Sequence, residues 1–237
     1  MIDLYNGDCL EVMKNLPTSS VDLVVTDPPY DVHAGKGGGA FGNRKAFSEI
    51  QFISNGFSNE VLDELCRVMK KINCYFFCSQ KQIIPLLDYF VKDKKCNYNL
   101  LTWHKTNPVP ACNNKYLSDT EYCLFFRESG VKILGSFETK KTYYVTPINI
   151  KDKQKYNHPT VKPLDIIQNL IVNSSNEGDV VLDPFFVTWT TGAMAKKMGR
   201  NFIGIERDKS YVAGAQARVD GIETLSGDAL DYTVKKK

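Results

Sequence analysis

The run Val21-Asp22-Leu23-Val24-Val25 ending in Thr26-Asp27-Pro28-Pro29-Tyr30 constrains this chain more than any other stretch. The apolar part reads as a buried parallel strand. It stops at an acid, two prolines and an aromatic ring. Proline fixes φ and removes an N–H, so Pro28 and Pro29 make a stiff, extended turn with free carbonyls. Asp27 and Tyr30 are thereby held at the carboxyl end of a strand, where open α/β sheets place their ligands. Such a turn suits a flat ring with an exocyclic amino group. Asp27 and the Pro28 carbonyl can accept two N–H bonds while Tyr30 stacks on the face. The blander alternative is a strand-to-loop exit with a salt-bridged acid.

With 237 residues, 43% of them hydrophobic and 24% charged, the chain has the material for one large domain with a substantial core. The net charge of +3 permits nucleic-acid binding without demanding it. Lysines cluster at Lys92/Lys94/Lys95, Lys140/Lys141, Lys151/Lys153/Lys155 and Lys235–Lys237; each cluster alone reads as a solvated face. Seven cysteines, an odd number without a Cys-x-x-Cys pair, indicate neither a disulfide frame nor a zinc site. Several lie in apolar runs, as buried free thiols do, and point to a reducing, cytoplasmic setting. No leader opens the chain and no apolar run approaches membrane-spanning length, so no membrane association is expected.

The order of elements predicts a doubly wound α/β fold. Strands are expected at Asp3–Tyr5, Val21–Thr26, Cys74–Cys78, Tyr98–Trp103, Glu121–Phe126, Val180–Leu182 and Phe202–Ile205, with a short one at Tyr143–Val145. Helices are expected from Cys9 to Leu16, Ser58 to Lys71, Ser79 to Phe90 with a kink at Pro85, Leu164 to Asn173, Phe185 to Met198 and Asp208 to Val219. The segment 31–57 carries Gly35, Gly37, Gly38, Gly39 and Gly42 and reads as a mobile surface loop. With Lys36, Arg44 and Lys45 it could also close over an anionic partner. No domain boundary is apparent, so residues 1–237 are taken as one domain.

Five blocks then converge: Asn6-Gly7-Asp8-Cys9-Leu10-Glu11, Thr26–Tyr30, His158-Pro159-Thr160-Val161-Lys162-Pro163, Asp183-Pro184-Phe185 and Gly199–Glu206. In these the chain resembles the DNA amino-methyltransferases that use S-adenosylmethionine, in the permuted β-class order, because the Asp27 block precedes the Asp183 block. The resemblance implies a Rossmann-like, mostly parallel sheet with helices on both faces. It implies methyl transfer to adenine N6 in double-stranded DNA by base flipping. Asp27, Pro28, Pro29 and Tyr30 would be the catalytic turn, with Tyr30 stacked on the flipped base. Glu206 would bind the cofactor ribose and Asp8 would meet its adenine. Thr160 and Lys162 would sit near its methionine carboxylate, although a solvated helix-start lysine is the alternative for Lys162. Asp183 would line the pocket, with Cys9, Phe185, Thr190 and Arg207 also on the cofactor side. No metal is implied.

One block departs from the pattern. Relatives continue from Asp-Pro-Phe into a Gly-Ser-Gly-Thr-Thr loop; this chain reads Phe186-Val187-Thr188-Trp189-Thr190-Thr191. Both glycines are gone, and with them the freedom to take positive φ near a ligand. The indole of Trp189 could occupy space that the methionine portion needs. Three explanations follow: a reshaped loop that still binds cofactor, a non-catalytic homologue that binds DNA or a regulatory partner, or deliberate substitution. Asp before Pro-Pro-Tyr is the family's commoner adenine form; a cytosine-N4 enzyme is the further alternative. Sequence readout would fall to a small region within 107–157, including Asn113, Asn114, Lys115, Lys140 and Lys141, together with the glycine-rich loop. The resemblance also brings a homodimer and a cognate restriction endonuclease into consideration as partners.

Overall fold

The computed structural model describes residues 1–28, 58–110, 114–148, 162–186 and 190–209, and the backbone of 233–236. The nine strands among these are β1 (Ile2–Asn6), β2 (Leu23–Thr26), β3 (Asn73–Cys78), β4 (Asn97–Lys105), β5 (Thr120–Arg127), β6 (Tyr143–Thr146), β7 (Val180–Asp183), β8 (Asn201–Glu206) and β9 (Thr233–Lys236). They form one sheet in the order β6-β4-β5-β3-β2-β7-β8-β1-β9. Only β5 runs antiparallel to its neighbours, β3 and β4; every other pairing is parallel. The Rossmann-like expectation therefore describes the fold.

Among the described residues five α-helices cover the sheet: α1 (Cys9–Met13), α2 (Asn59–Val68), α3 (Gln80–Leu87), α4 (Leu164–Ser174) and α5 (Thr190–Lys197). The two faces follow from strand alternation. Leu23, Val25, Tyr75, Phe77 and Phe125 point to one side, where Ile166, Ile167, Leu170 and Ile171 of α4 and Ala193 and Met194 of α5 meet them. Val24, Cys74, Phe76, Leu124 and Phe126 point to the other, against Val12 and Met13, Val61, Leu62 and Leu65, and Leu86 and Phe90. Both layers are apolar, as a mostly parallel sheet covered on both faces requires.

The element bounds differ from expectation where tertiary contacts compete with helix formation. Helix α1 stops at Met13 rather than Leu16, because the Arg67 guanidinium takes the Met13 carbonyl at 2.7 Å and the Leu16 carbonyl at 3.0 Å. Helix α2 stops at Val68 rather than Lys71, because Met69 turns extended and bridges Val21, and the Lys70 N–H donates to the Val21 carbonyl at 2.8 Å. Beyond Pro85, α3 widens into a π-helical turn, Asp88–Asp93, that buries Tyr89 and Phe90. The basic stretch near the C-terminus supplies an unforeseen parallel strand, β9, beside β1. The glycine-rich segment 31–57 and the expected helix beyond Lys209 lie outside the described residues. Among the described residues no helix is long and apolar enough to cross a membrane.

Candidate functional site

Parallel strands bring their carboxyl ends to one edge, and here that edge collects acids. Strands β2, β7, β8 and β1 are consecutive neighbours. Asp27 follows β2, Asp183 ends β7, Glu206 ends β8, and Asp8 follows β1. Sequence reasoning therefore placed Asp27, Asp183, Glu206 and Asp8 on what is one continuous edge.

Asp183 is buried. Its Oδ1 accepts the Thr26 hydroxyl at 3.0 Å and the Phe185 N–H at 3.2 Å, and Thr191 bonds it as well. Burial pushes the Asp183 carboxyl up to about 7, against the pull of these donors. Glu206 is also buried, and its Oε1 accepts the Asp208 N–H at 2.7 Å. Burial pushes it up to about 7 too. Its carbonyl accepts from the Gly7 N–H at 3.0 Å and the Asn6 side-chain amide at 2.9 Å, which ties the Asn6-Gly7-Asp8 turn to the end of β8. Asp8 caps α1, with Oδ1 accepting from Leu10 N at 3.0 Å and Glu11 N at 3.4 Å. The Cys9 thiol is pushed up to about 12 by burial and then by the Asp8 charge, so it is no thiolate nucleophile near neutral pH. Thr190 is buried at the start of α5, Phe185 packs against the core, and Arg207 lies exposed beside Asn6, whose amide donates to its carbonyl at 3.2 Å.

Lys162 differs from its solvated alternative. Its side chain is 4% exposed and bridges Asp27 and Glu121. The Glu121 contact is 3.2 Å. Lys105 pairs with the other Glu121 oxygen at 2.7 Å. Burial raises the Glu121 carboxyl, but the Lys162 and Lys105 charges outweigh it and hold the group below the ordinary carboxylate range. Sequence reading gave no site role to Glu121 or Lys105, and took Thr26 only as the first residue of the Asp27 block. The visible signal was an acid opening the otherwise apolar strand Glu121–Phe126 and a lysine two residues after Trp103. Pro29, Tyr30, Thr160 and the loop Val187-Thr188-Trp189 lie outside the described residues. Among the described residues no cluster of histidine, cysteine and carboxylate groups could hold a metal ion.

The N6/N4 methyltransferase family model, described as DNA methylase, matches residues 21–217. The Type II methyltransferase M.HinfI of Haemophilus influenzae is 31% identical over 95% of this chain and 70% of its own length. The DNA adenine methyltransferase YhdJ of Escherichia coli is 30% identical over 99% of this chain and 88% of its own length. The crystal structure of the M1.HpyAVI–SAM complex superposes with a TM-score of 0.67 at 27% identity, covering 92% of this chain and all of that one.

Proposed function

The chain belongs to the DNA methylase family, and on that premise we propose that it methylates the exocyclic N6 of adenine in duplex DNA, with S-adenosylmethionine as donor. The observation that carries the reading is the adjacency of Asp27 and Asp183, at neighbouring strand ends and linked through Thr26. One carboxylate faces the amine and its neighbour the cofactor, so donor and acceptor meet across two strands.

The residues present suit the cofactor. Buried carboxylates at parallel strand ends are acceptors for hydroxyl and amino groups, and Glu206 stands where α/β folds hold a ribose diol. Asp8, Cys9, Asp183, Phe185, Thr190, Glu206 and Arg207 would hold it, with Thr160 toward its carboxylate; the Lys162 ammonium, expected there too, is instead committed to Asp27 and Glu121. When bound, it supplies an electrophilic methyl on a sulfonium. Asp27 and the Pro28 carbonyl accept the amino N–H bonds, which turns the nitrogen lone pair toward that methyl. By the family resemblance, Tyr30 would stack on the extruded base, and Pro29 would restrict the turn through its fixed φ. As the new N–C bond forms, the sulfur–methyl bond breaks with its electron pair staying on sulfur as a neutral thioether, and the nitrogen gives up a proton, for which Asp27 would be the acceptor. No cysteine is required, in keeping with the raised Cys9 thiol.

Incubation with methyl-labelled cofactor and mixed-sequence duplex DNA tests the reading. Label in N6-methyladenine supports it. Label in N4-methylcytosine reassigns the base. An unlabelled product, with DNA still retained, favours the non-catalytic homologue that the Val187–Trp189 substitutions suggest. The same reading places the protein in the cytoplasm, with a homodimer and a cognate endonuclease as partners to be sought by light scattering and by cleavage of unmethylated target DNA.

A further inference from the structure

Glu121 and Phe77 lie on the neighbouring strands β5 and β3, and Asp27 directly follows the next strand, β2, at the same end of the sheet. Lys162, just ahead of α4, lays its ammonium 4.9 Å from the Phe77 ring centroid and reaches both flanking carboxylates. Lys105 closes the row from β4 and also lies 5.4 Å from the Trp103 ring centroid. The charges alternate: Asp27 negative, Lys162 positive, Glu121 negative, Lys105 positive. An ammonium as buried as Lys162 is costly unless paired, and these two carboxylates come from other elements. Two carboxylates thus share one buried cation, and one of the two is the acid proposed to grip the substrate amine.

Sharing has a consequence for that acid. Asp27 must release enough of its hydrogen-bonding capacity to receive the base. A lysine with Asp27 as its one carboxylate would press on it fully and compete with the incoming amine. Glu121 offers the ammonium a second carboxylate at 3.2 Å, while the contact to Asp27 stays the shorter of the two, and Lys105 in turn keeps Glu121 in place and charged. We propose that Glu121 is a positioning residue for methyl transfer, acting on Asp27 through Lys162. The inference rests on the reading of Asp27 as the amine-binding acid.

A double-mutant cycle with Glu121→Gln and Lys162→Met tests it. Single-turnover methylation is measured at saturating DNA and cofactor, with the two dissociation constants measured separately. Glu121→Gln is expected to slow the step about tenfold, a size typical of coupled neighbours, while both dissociation constants stay within about twofold. In the Lys162→Met background the same change is expected to have less than about a twofold effect. Glu121→Asp keeps the charge on a shorter stem and should fall between wild type and Glu121→Gln. It carries the comparison if the glutamine variant does not fold, as judged by its melting transition. Equal slowing in both backgrounds, or no slowing in either, overturns the proposal. A wild-type protein that transfers no methyl overturns the parent reading instead.

Discussion

The Thr26 hydroxyl donates to the Asp183 carboxylate at 3.0 Å, and so joins the strand end that leads into Asp27 to the strand end that opens the cofactor side. Both residues are buried. Thr26→Val keeps the shape and removes the donor. Asp183 then loses one of its three partners among the described residues while keeping Phe185 and Thr191, and a hydrogen bond to a carboxyl group contributes about 1–3 kcal/mol. The variant should unfold at lower urea by that amount and bind S-adenosylmethionine more weakly, since the carboxylate form loses a stabilising bond. Urea unfolding and calorimetry check the two effects independently.

Asp183 and Glu206 both hold their protons in the folded protein up to about 7, against ordinary values of 3.8 and 4.5. Between those limits the folded state carries more protons than the unfolded chain, so its stability falls as pH rises. Above about pH 7 both states are ionised and the contribution levels off. The cofactor-free protein should therefore melt at a higher temperature at pH 5.5 than at pH 8. Cofactor affinity should run the other way, because the ionised carboxylates are the better acceptors. Calorimetry in two buffers of different ionisation enthalpy should show proton release on binding near pH 6.5.

Much of this edge was legible from strand periodicity. The apolar run before Asp27 and the acids ending Val180–Asp183 and Phe202–Glu206 mark strand ends directly, and alternation of β and α elements makes those ends coincide. What the sequence hid is contact at long range. Lys162 and Asp27 lie 135 positions apart, and a lysine ahead of a helix looks solvated until the opposing carboxylates are seen. Helix ends were overrun for the same reason: Arg67 takes carbonyls from a helix 54 positions away, and no local propensity reports that. The parallel strand β9 sits in a basic stretch without alternating hydrophobicity, so its pairing leaves no periodic trace.

Gly204 lies in β8, two residues before Glu206. A Cβ there would meet the Phe186 and Phe202 rings at 2.7 Å and Leu4 at 3.1 Å. Gly204→Ala should cost about 1–3 kcal/mol through overpacking. Phe186 follows the Asp183-Pro184-Phe185 turn, so the strain is delivered to the cofactor side. Affinity for S-adenosylmethionine should fall together with stability. Trimming the neighbour with Phe186→Leu in the same chain should recover part of both, as measured by urea unfolding and calorimetry.

Asp27→Asn separates the two duties of that side chain. As an amide it keeps its size and can still accept one N–H, but it carries no charge and takes up no proton from the amine. Methyl transfer should fall by about a hundredfold or more, the usual size for loss of a positioned acid–base group. Stability should change less than the 3–5 kcal/mol lost when a fully buried pair is broken. Asp27 is 27% exposed, and Lys162 still has Glu121 at 3.2 Å. A loss of about 1–2 kcal/mol is expected, small enough to leave the protein folded at assay temperature. Cofactor affinity should hold within about twofold, because Asp183 and Glu206 are untouched. Rapid-quench methylation, urea unfolding and calorimetry on the one variant resolve these three quantities. A rate loss no larger than the stability loss would mean that Asp27 serves the fold rather than the reaction.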